Sequence, residues 1–178
     1  MRRDRGPTLN PPEISKPIGR PPAVLFVCLG NICRSPTALG VFRHLAAADS
    51  PPLDVDADSA GVADYHVGEQ PDVRSRRAAE RRGIDLNDLR ARQICLQDFD
   101  RFDLILAMDR SNLRALQALK PAAAGAEVGL FLAYAGDTDG LDVPDPYYGG
   151  PEGFERVLDL VTLASRGLIG ALKAAVNT

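Results

Sequence analysis

The apolar positions of the chain change rhythm from stretch to stretch, and that rhythm predicts the elements. Ala23 to Val27 is an unbroken apolar run, the pattern of a parallel strand covered on both faces, and it ends at Cys28. From Pro36 to about Ala48 the period becomes helical, with Leu39, Phe42 and Leu45 on the inner face; Pro51-Pro52 closes this stretch. Leu53, Val55 and Ala57 then alternate with Asp54, Asp56 and Asp58. This predicts a second strand with one side exposed, running into a turn at Ser59-Ala60-Gly61. After a loop from Val62 to Pro71 that contains Tyr65 and His66, Asp72 is placed to cap a helix that reaches about Arg82 and stops at Gly83. Phe102 to Met108 is the third predicted strand. Asp109 and Ser111 supply caps for a helix carrying Leu113, Leu116 and Leu119, which Pro121 closes. Val128 to Leu132 predicts the fourth strand. Ala133 to Gly153 reads as a long irregular loop, and loops of that length are often functional. The last helix turns Phe154, Val157, Leu158, Val161, Leu168 and Leu172 toward the core.

Strands that alternate with helices build a parallel sheet with helices on both faces. The expected fold class is therefore α/β, a three-layer, doubly wound, four-stranded parallel sheet. Ligands of such sheets bind beyond the carboxyl ends of the strands, which is where Cys28 falls. Residues 23–178 are expected to form one domain. Residues 1–22, where Pro and Gly mix with Arg, Asp and Lys, read as a flexible N-terminal extension.

Composition narrows the function. A chain of 178 residues with 45% hydrophobic content suits one soluble domain with a proper core. A net charge of −3 argues against nucleic acid as a partner, and no apolar run is long enough for a membrane span. Without an export signal, the cysteines Cys28, Cys33 and Cys95 are expected as thiols of a reducing, cytoplasmic compartment, with Cys95 buried. His44 and His66 form no Cys/His cluster of zinc spacing, so no metal is expected. Arg74, Arg76, Arg77, Arg81, Arg82, Arg90 and Arg92 read first as a solvated face, with a docking patch for acidic substrates as the rival.

Two stretches carry chemistry. In Cys28-Leu29-Gly30-Asn31-Ile32-Cys33-Arg34-Ser35 a strand ends on a thiol and a helix starts after a short turn. Gly30 and Asn31 admit left-handed backbone, Ser35 is placed to cap the helix, and Pro36 suits its first position. Backbone N–H groups turned inward, the helix dipole and the Arg34 fork make a nest for a phosphoryl group. They are also expected to favour the thiolate of Cys28, a nucleophile for phosphoryl transfer. Farther on, Asp145 stands between Pro144 and Pro146, a carboxyl on a stiffened loop that suits a general acid, or equally an ordinary turn.

The Cys-x5-Arg loop near the N-terminus, its Gly-Asn pair and the later Asp-Pro-Tyr-Tyr together resemble the low-molecular-weight protein tyrosine phosphatases, from about Ala23 to the C-terminus. The resemblance implies strand order 2-1-3-4 and hydrolysis of phosphotyrosine in proteins through a cysteinyl phosphate, with no metal or organic cofactor. Inorganic phosphate and similar oxyanions would inhibit. It implies Cys28 as nucleophile, Arg34 as phosphate ligand and Asp145 as general acid. Leu29 to Ser35 would bind phosphate, and Leu29, Tyr65, Tyr147 and Tyr148, with Ile32 to a lesser degree, would wall the pocket. Asn31, Ser35 and Ser59 would brace the loop, and Asp72 and Asp109 match supporting carboxylates for which helix capping accounts equally well. Cys33 matches a redox partner for the nucleophile, with plain packing as the alternative. The chain departs from the family in its N-terminal extension and in Val62, where a hydroxyl residue is common. Arsenate reductases share the loop but carry a further pair of resolving cysteines; arginine-phosphate phosphatases tend to have Thr at Ile32 and lack the paired tyrosines. A non-catalytic phosphoprotein-binding or redox-sensing module would keep the nest without needing Asp145. Nucleotide binding is weaker still, since the loop lacks the Lys that pairs with polyphosphate.

Overall fold

The structure, a computed structural model, describes residues 10–15, 19–136, 138 and 140–177. Its elements run β1 (Ala23–Cys28), α1 (Arg34–Ala48), β2 (Asp56–Gly61), α2 (Val73–Glu80), α3 (Asp98–Arg101), β3 (Leu104–Ala107), α4 (Arg110–Leu119), β4 (Glu127–Leu130), a 3-10 turn (Phe131–Ala135) and α5 (Pro151–Val176). The four strands form one sheet in the order β2-β1-β3-β4, and every pairing is parallel. The α/β fold and the strand order therefore agree with expectation.

β1 is the centre, and its apolar run is explained by burial on both faces. Val24, Phe26 and Cys28 face a layer formed with α1, α2 and α5, where the Phe26 ring lies 5.4 Å from Phe42 and 4.9 Å from Phe131. Ala23, Leu25 and Val27 face the other layer, with Phe99, Phe102, Ile105, Leu116 and Leu130. All six apolar positions predicted to face inward on the last helix are buried on α5.

The boundaries depart from the sequence reading in instructive ways. The second strand starts at Asp56, so the expected turn Ser59-Ala60-Gly61 is strand, paired with Phe26, Val27 and Cys28. Leu53 and Val55 alternate because they pack on the core just before the strand begins. Leu119 is exposed, because α4 ends there, and Cys95 is exposed in the turn before α3 rather than buried. His44 is exposed on α1. The basic segment is largely paired within the molecule: Arg81 reaches Glu155, and Arg82 reaches both Glu155 and Asp159, joining the end of α2 to α5.

Of the N-terminal extension, residues 1–9 and 16–18 lie outside the described residues, whereas Pro12, Ile14 and Arg20 have partners in the fold. Pro12 lies over Gly129 of β4, where any Cβ would collide with its ring, and its carbonyl accepts the Tyr134 hydroxyl at 2.8 Å. Ile14 packs against the core, and Arg20 forks onto Asp103 at 2.6 and 2.9 Å.

Candidate active site

β1 and α1 are joined by residues 29–33, a connection too short for anything but a tight turn over the strand end. Asn31 makes the turn with φ +56°, the left-handed region that Asn tolerates. Gly61, at the end of β2, lets this turn pass: a Cβ there would stand 2.8 Å from Leu29 O and 3.1 Å from Ala63 O. The backbones of 28–29 and 62–63 are in turn joined, Val62 N–H to Cys28 O and Ala63 N–H to Leu29 O, both at 2.9 Å.

The α1 helix begins at Arg34, two residues earlier than expected, so Ser35 is inside the first turn and does not cap it. No side chain caps this N-terminus, whereas Asp72 and Asp109 cap α2 and α4. A buried helix start without a capping side chain leaves N–H groups free for an anion. The Ser35 hydroxyl instead lies 3.1 Å from the Cys28 sulfur, which also receives the Asn31 N–H at 3.3 Å. Asn31 Nδ2 donates to Ser35 Oγ at 2.8 Å and to Ser59 Oγ at 2.9 Å, which brings the three side chains together.

Arg34 is 3% exposed. Its Nη1 donates to Asp109 Oδ2 at 2.5 Å and to Val143 O at 3.1 Å. Asp109 therefore both caps α4, through Asn112 N–H, and holds the arginine. The loop carrying Asp145 is anchored at Val143, whose N–H reaches Met108 O at 2.7 Å, and at Asp142, which accepts the Arg110 N–H. This brings Asp145 Oδ2 to 3.6 Å from Arg34 Nη2, while its other oxygen accepts the Tyr147 N–H at 3.1 Å.

Cys28, Leu29, Gly30, Ile32, Cys33, Arg34, Tyr65, Asp145, Tyr147 and Tyr148 line one hollow of about 190 Å³. Of the expected wall residues, Ile32 is buried in the core, whereas Tyr65 is 72% and Tyr148 94% exposed. Burial, reinforced by the negative charge of Asp72, pushes the Cys33 thiol up to about 12, which keeps it protonated beside Cys28. Asp72 is held below the ordinary carboxylate range chiefly by its hydrogen bond from Arg74.

Two further residues belong here. His66 lines the hollow, its ring 3.0 Å from where a Gly30 side chain would begin, and its Nδ1 pairs with Glu69 at 2.8 Å. Arg74 pairs with Asp72, donates to Tyr147 O at 3.0 Å and lies over the Tyr147 and Phe154 rings. His66 was visible only as a polar residue beside Tyr65, and nothing in the local pattern around Arg74 marks its reach to the distant loop.

Residues 23–178 match the family model described as low molecular weight phosphotyrosine protein phosphatase. The low molecular weight protein-tyrosine-phosphatase YfkJ of Bacillus subtilis (strain 168) is 40% identical over 151 residues, 85% of this chain and 96% of that protein. The low molecular weight phosphotyrosine protein phosphatase of Homo sapiens is 42% identical over 137 residues, 76% of this chain and 85% of that one. A crystal structure of protein tyrosine phosphatase from Entamoeba histolytica aligns with a TM-score of 0.81 at 37% identity, covering 86% of this chain and 97% of the other. The chain belongs to the low molecular weight phosphotyrosine protein phosphatase family, a family of hydrolases.

Proposed function

We propose that this chain hydrolyses phosphotyrosine in proteins through a cysteinyl-phosphate intermediate. The observation that carries the reading is that Cys28, Arg34 and Asp145 line one hollow, with the arginine and the carboxylate 3.6 Å apart. In the first step the Cys28 thiolate attacks phosphorus. The S–P bond forms as the P–O bond to tyrosine breaks, and Asp145 gives its proton to the departing phenolic oxygen. The Arg34 fork and the uncapped N–H groups at the start of α1 take the equatorial oxygens of the phosphoryl group. In the second step Asp145, now a carboxylate, removes a proton from a water molecule whose oxygen attacks phosphorus. Inorganic phosphate leaves, and the Ser35 hydroxyl and Asn31 N–H receive the thiolate as it re-forms. Every role is filled by this chain's own residues. Tyr65, Tyr147 and Tyr148 at the mouth suit an aromatic substrate ring.

Cys95 is not among the residues of the hollow, which weakens an arsenate-reductase reading that needs further thiols in relay. A binding module would gain nothing from a carboxylate aimed beside the phosphate ligand. The test is turnover of phosphotyrosine and phosphoarginine peptides, in EDTA, by wild type, Cys28→Ser and Asp145→Ala. Cys28→Ser should fold and be inactive. Asp145→Ala should lower kcat/KM for phosphotyrosine by roughly 10²–10⁴, with the loss shrinking for aryl phosphates whose phenols are more acidic. Retained activity in Cys28→Ser, or a preference for phosphoarginine, would overturn the proposal.

A further inference from the structure

Asn31 is the only non-glycine among the described residues with a positive φ, and that conformation directs its N–H onto the Cys28 sulfur. A side chain in the left-handed region persists only where its surroundings hold it there. The carboxamide of Asn31 is held at both ends. Its nitrogen donates to Ser35 and Ser59, and its oxygen accepts the Arg92 N–H at 3.0 Å. Two of those three partners lie outside the loop.

Arg92 fastens both of them. Its Nε donates at 3.0 Å to Asp58, the residue just before Ser59 on β2. Its Nη1 and Nη2 fork onto Asp98 at 2.9 and 3.1 Å. The Asp98 side chain is only 6% exposed and accepts the Cys95 N–H as well. Burial alone would raise the Asp98 carboxyl; the Arg92 fork and the Cys95 N–H outweigh it and hold the carboxyl below its ordinary range. The Arg92 backbone is tied too: the Gly61 N–H reaches Arg92 O at 2.8 Å, and the Ile94 N–H reaches Gly61 O at 2.9 Å. Arg92 is not among the residues that line the hollow.

We propose that Arg92 is a positioning residue of this phosphatase: clamped between Asp58 and Asp98, it fixes the backbone N–H that holds the Asn31 carboxamide, and through it the Asn31 N–H on Cys28. The inference rests on the reading of Cys28 as the nucleophile. Lysine keeps the charge but has neither the planar fork nor the Nε donor, so it cannot hold both carboxylates in this geometry.

The test is a double-mutant cycle of Arg92→Lys with Asn31→Gly, a glycine that keeps the left-handed backbone but has no carboxamide. Two readouts are taken: kcat and KM on a phosphotyrosine peptide, and the rate of Cys28 alkylation by iodoacetate followed by mass. Arg92→Lys in the wild-type background should lower kcat roughly ten- to a hundredfold, with a smaller change in KM, and should slow alkylation. In the Asn31→Gly background the same substitution should change either readout by less than about twofold. Equal losses in the two backgrounds, or no loss in the wild-type background, would overturn the inference. Should Arg92→Lys fail to fold, Asp58→Asn, which removes the charge and one of the two oxygens that accept from Arg92 Nε and the Ser59 N–H, takes its place in the cycle with the same outcomes. A wild type inactive on the peptide would sink the phosphatase reading itself, whereas an active wild type with additive losses would sink only the role of Arg92.

Discussion

Arg34 remains a cation although it is almost wholly buried. Burial would lower its guanidinium, but the Cys28 sulfur, Asp109 and Asp145 outweigh it and raise it. Nη1 is committed to Asp109 and Val143 O, while Nη2 faces Asp145 at 3.6 Å. Arg34→Lys keeps the charge and loses that geometry, so kcat/KM for a phosphotyrosine peptide should fall about 10²–10³-fold in steady-state assays. Near-normal turnover would show that only the charge matters. The neighbouring Cys33 makes a different, pH-dependent prediction. Its folded thiol titrates near 12 against an ordinary 9, so the unfolded chain loses this proton first as pH rises. Stability should therefore be unaffected below about pH 9 and decline from there toward 12, by at most roughly 1.4 kcal/mol per pH unit. Urea melts at pH 8 and 10.5 should show Cys33→Ala losing less than wild type over that interval; an identical decline would remove Cys33 as the cause. At this scale Cys28, Arg34 and Asp145, which line one hollow, could be singled out from the sequence, because short spacings and flanking prolines tie them to their backbone. It misplaced Ser35, since a hydroxyl near a helix start can cap the helix or face the strand end, and only the helix's first residue decides which. Arg92 was hidden because the contact that matters comes from its backbone, and its side chain reaches Asp58, far away in sequence.

At the scale of elements, the sheet was legible as strands and helices in order, but the start of β2 was not. The alternation at Leu53 and Val55 marks contact with the core, and β2 pairs with β1 only from Asp56, opposite Ala23. A strand of mixed polar residues, Asp56-Ala57-Asp58-Ser59-Ala60-Gly61, is strand because its neighbour is, not because its own pattern asks for it. The same pairing brings Ser59 and Gly61 beneath the loop that follows β1. Gly61→Ala would press a methyl group into Leu29 O and Ala63 O, backbone atoms that cannot rotate away. The expected cost is about 1–3 kcal/mol of stability, read by urea unfolding. Displacing Leu29 and its neighbours should also lower kcat/KM by roughly tenfold or more. Wild-type stability and turnover in that variant would mean that the two backbones can part without consequence. The helix Asp98–Arg101 and the 3-10 turn at Phe131 escaped the sequence reading because elements this short have no period to detect.

For the whole molecule, the question is where the folding unit begins. The family likeness starts at residue 23, yet Pro12 fills the place of the missing Gly129 side chain and supplies the acceptor for Tyr134, a phenol whose ionisation burial makes harder. Removing residues 1–18 keeps the Arg20–Asp103 pair but leaves the Tyr134 hydroxyl without that partner. Stability should fall by about 1–3 kcal/mol, or roughly 2–4 °C in Tm for each kcal/mol, while kcat per folded molecule stays unchanged. Full-length Gly129→Ala, which evicts the Pro12 ring, should reproduce part of that loss in a thermal melt; an unchanged Tm in both would mean that the segment rests on the surface without bracing it. The same contact bears on how the protein is made. Pro12 and Gly129 are separated by nearly the whole sheet in sequence, so their joint position is settled only after β4 has been synthesised and paired. During synthesis residues 10–15 thus wait for the last strand of the sheet. A partner protein or a fusion tag that engaged residues 10–15 in that interval would compete with the protein's own core for them.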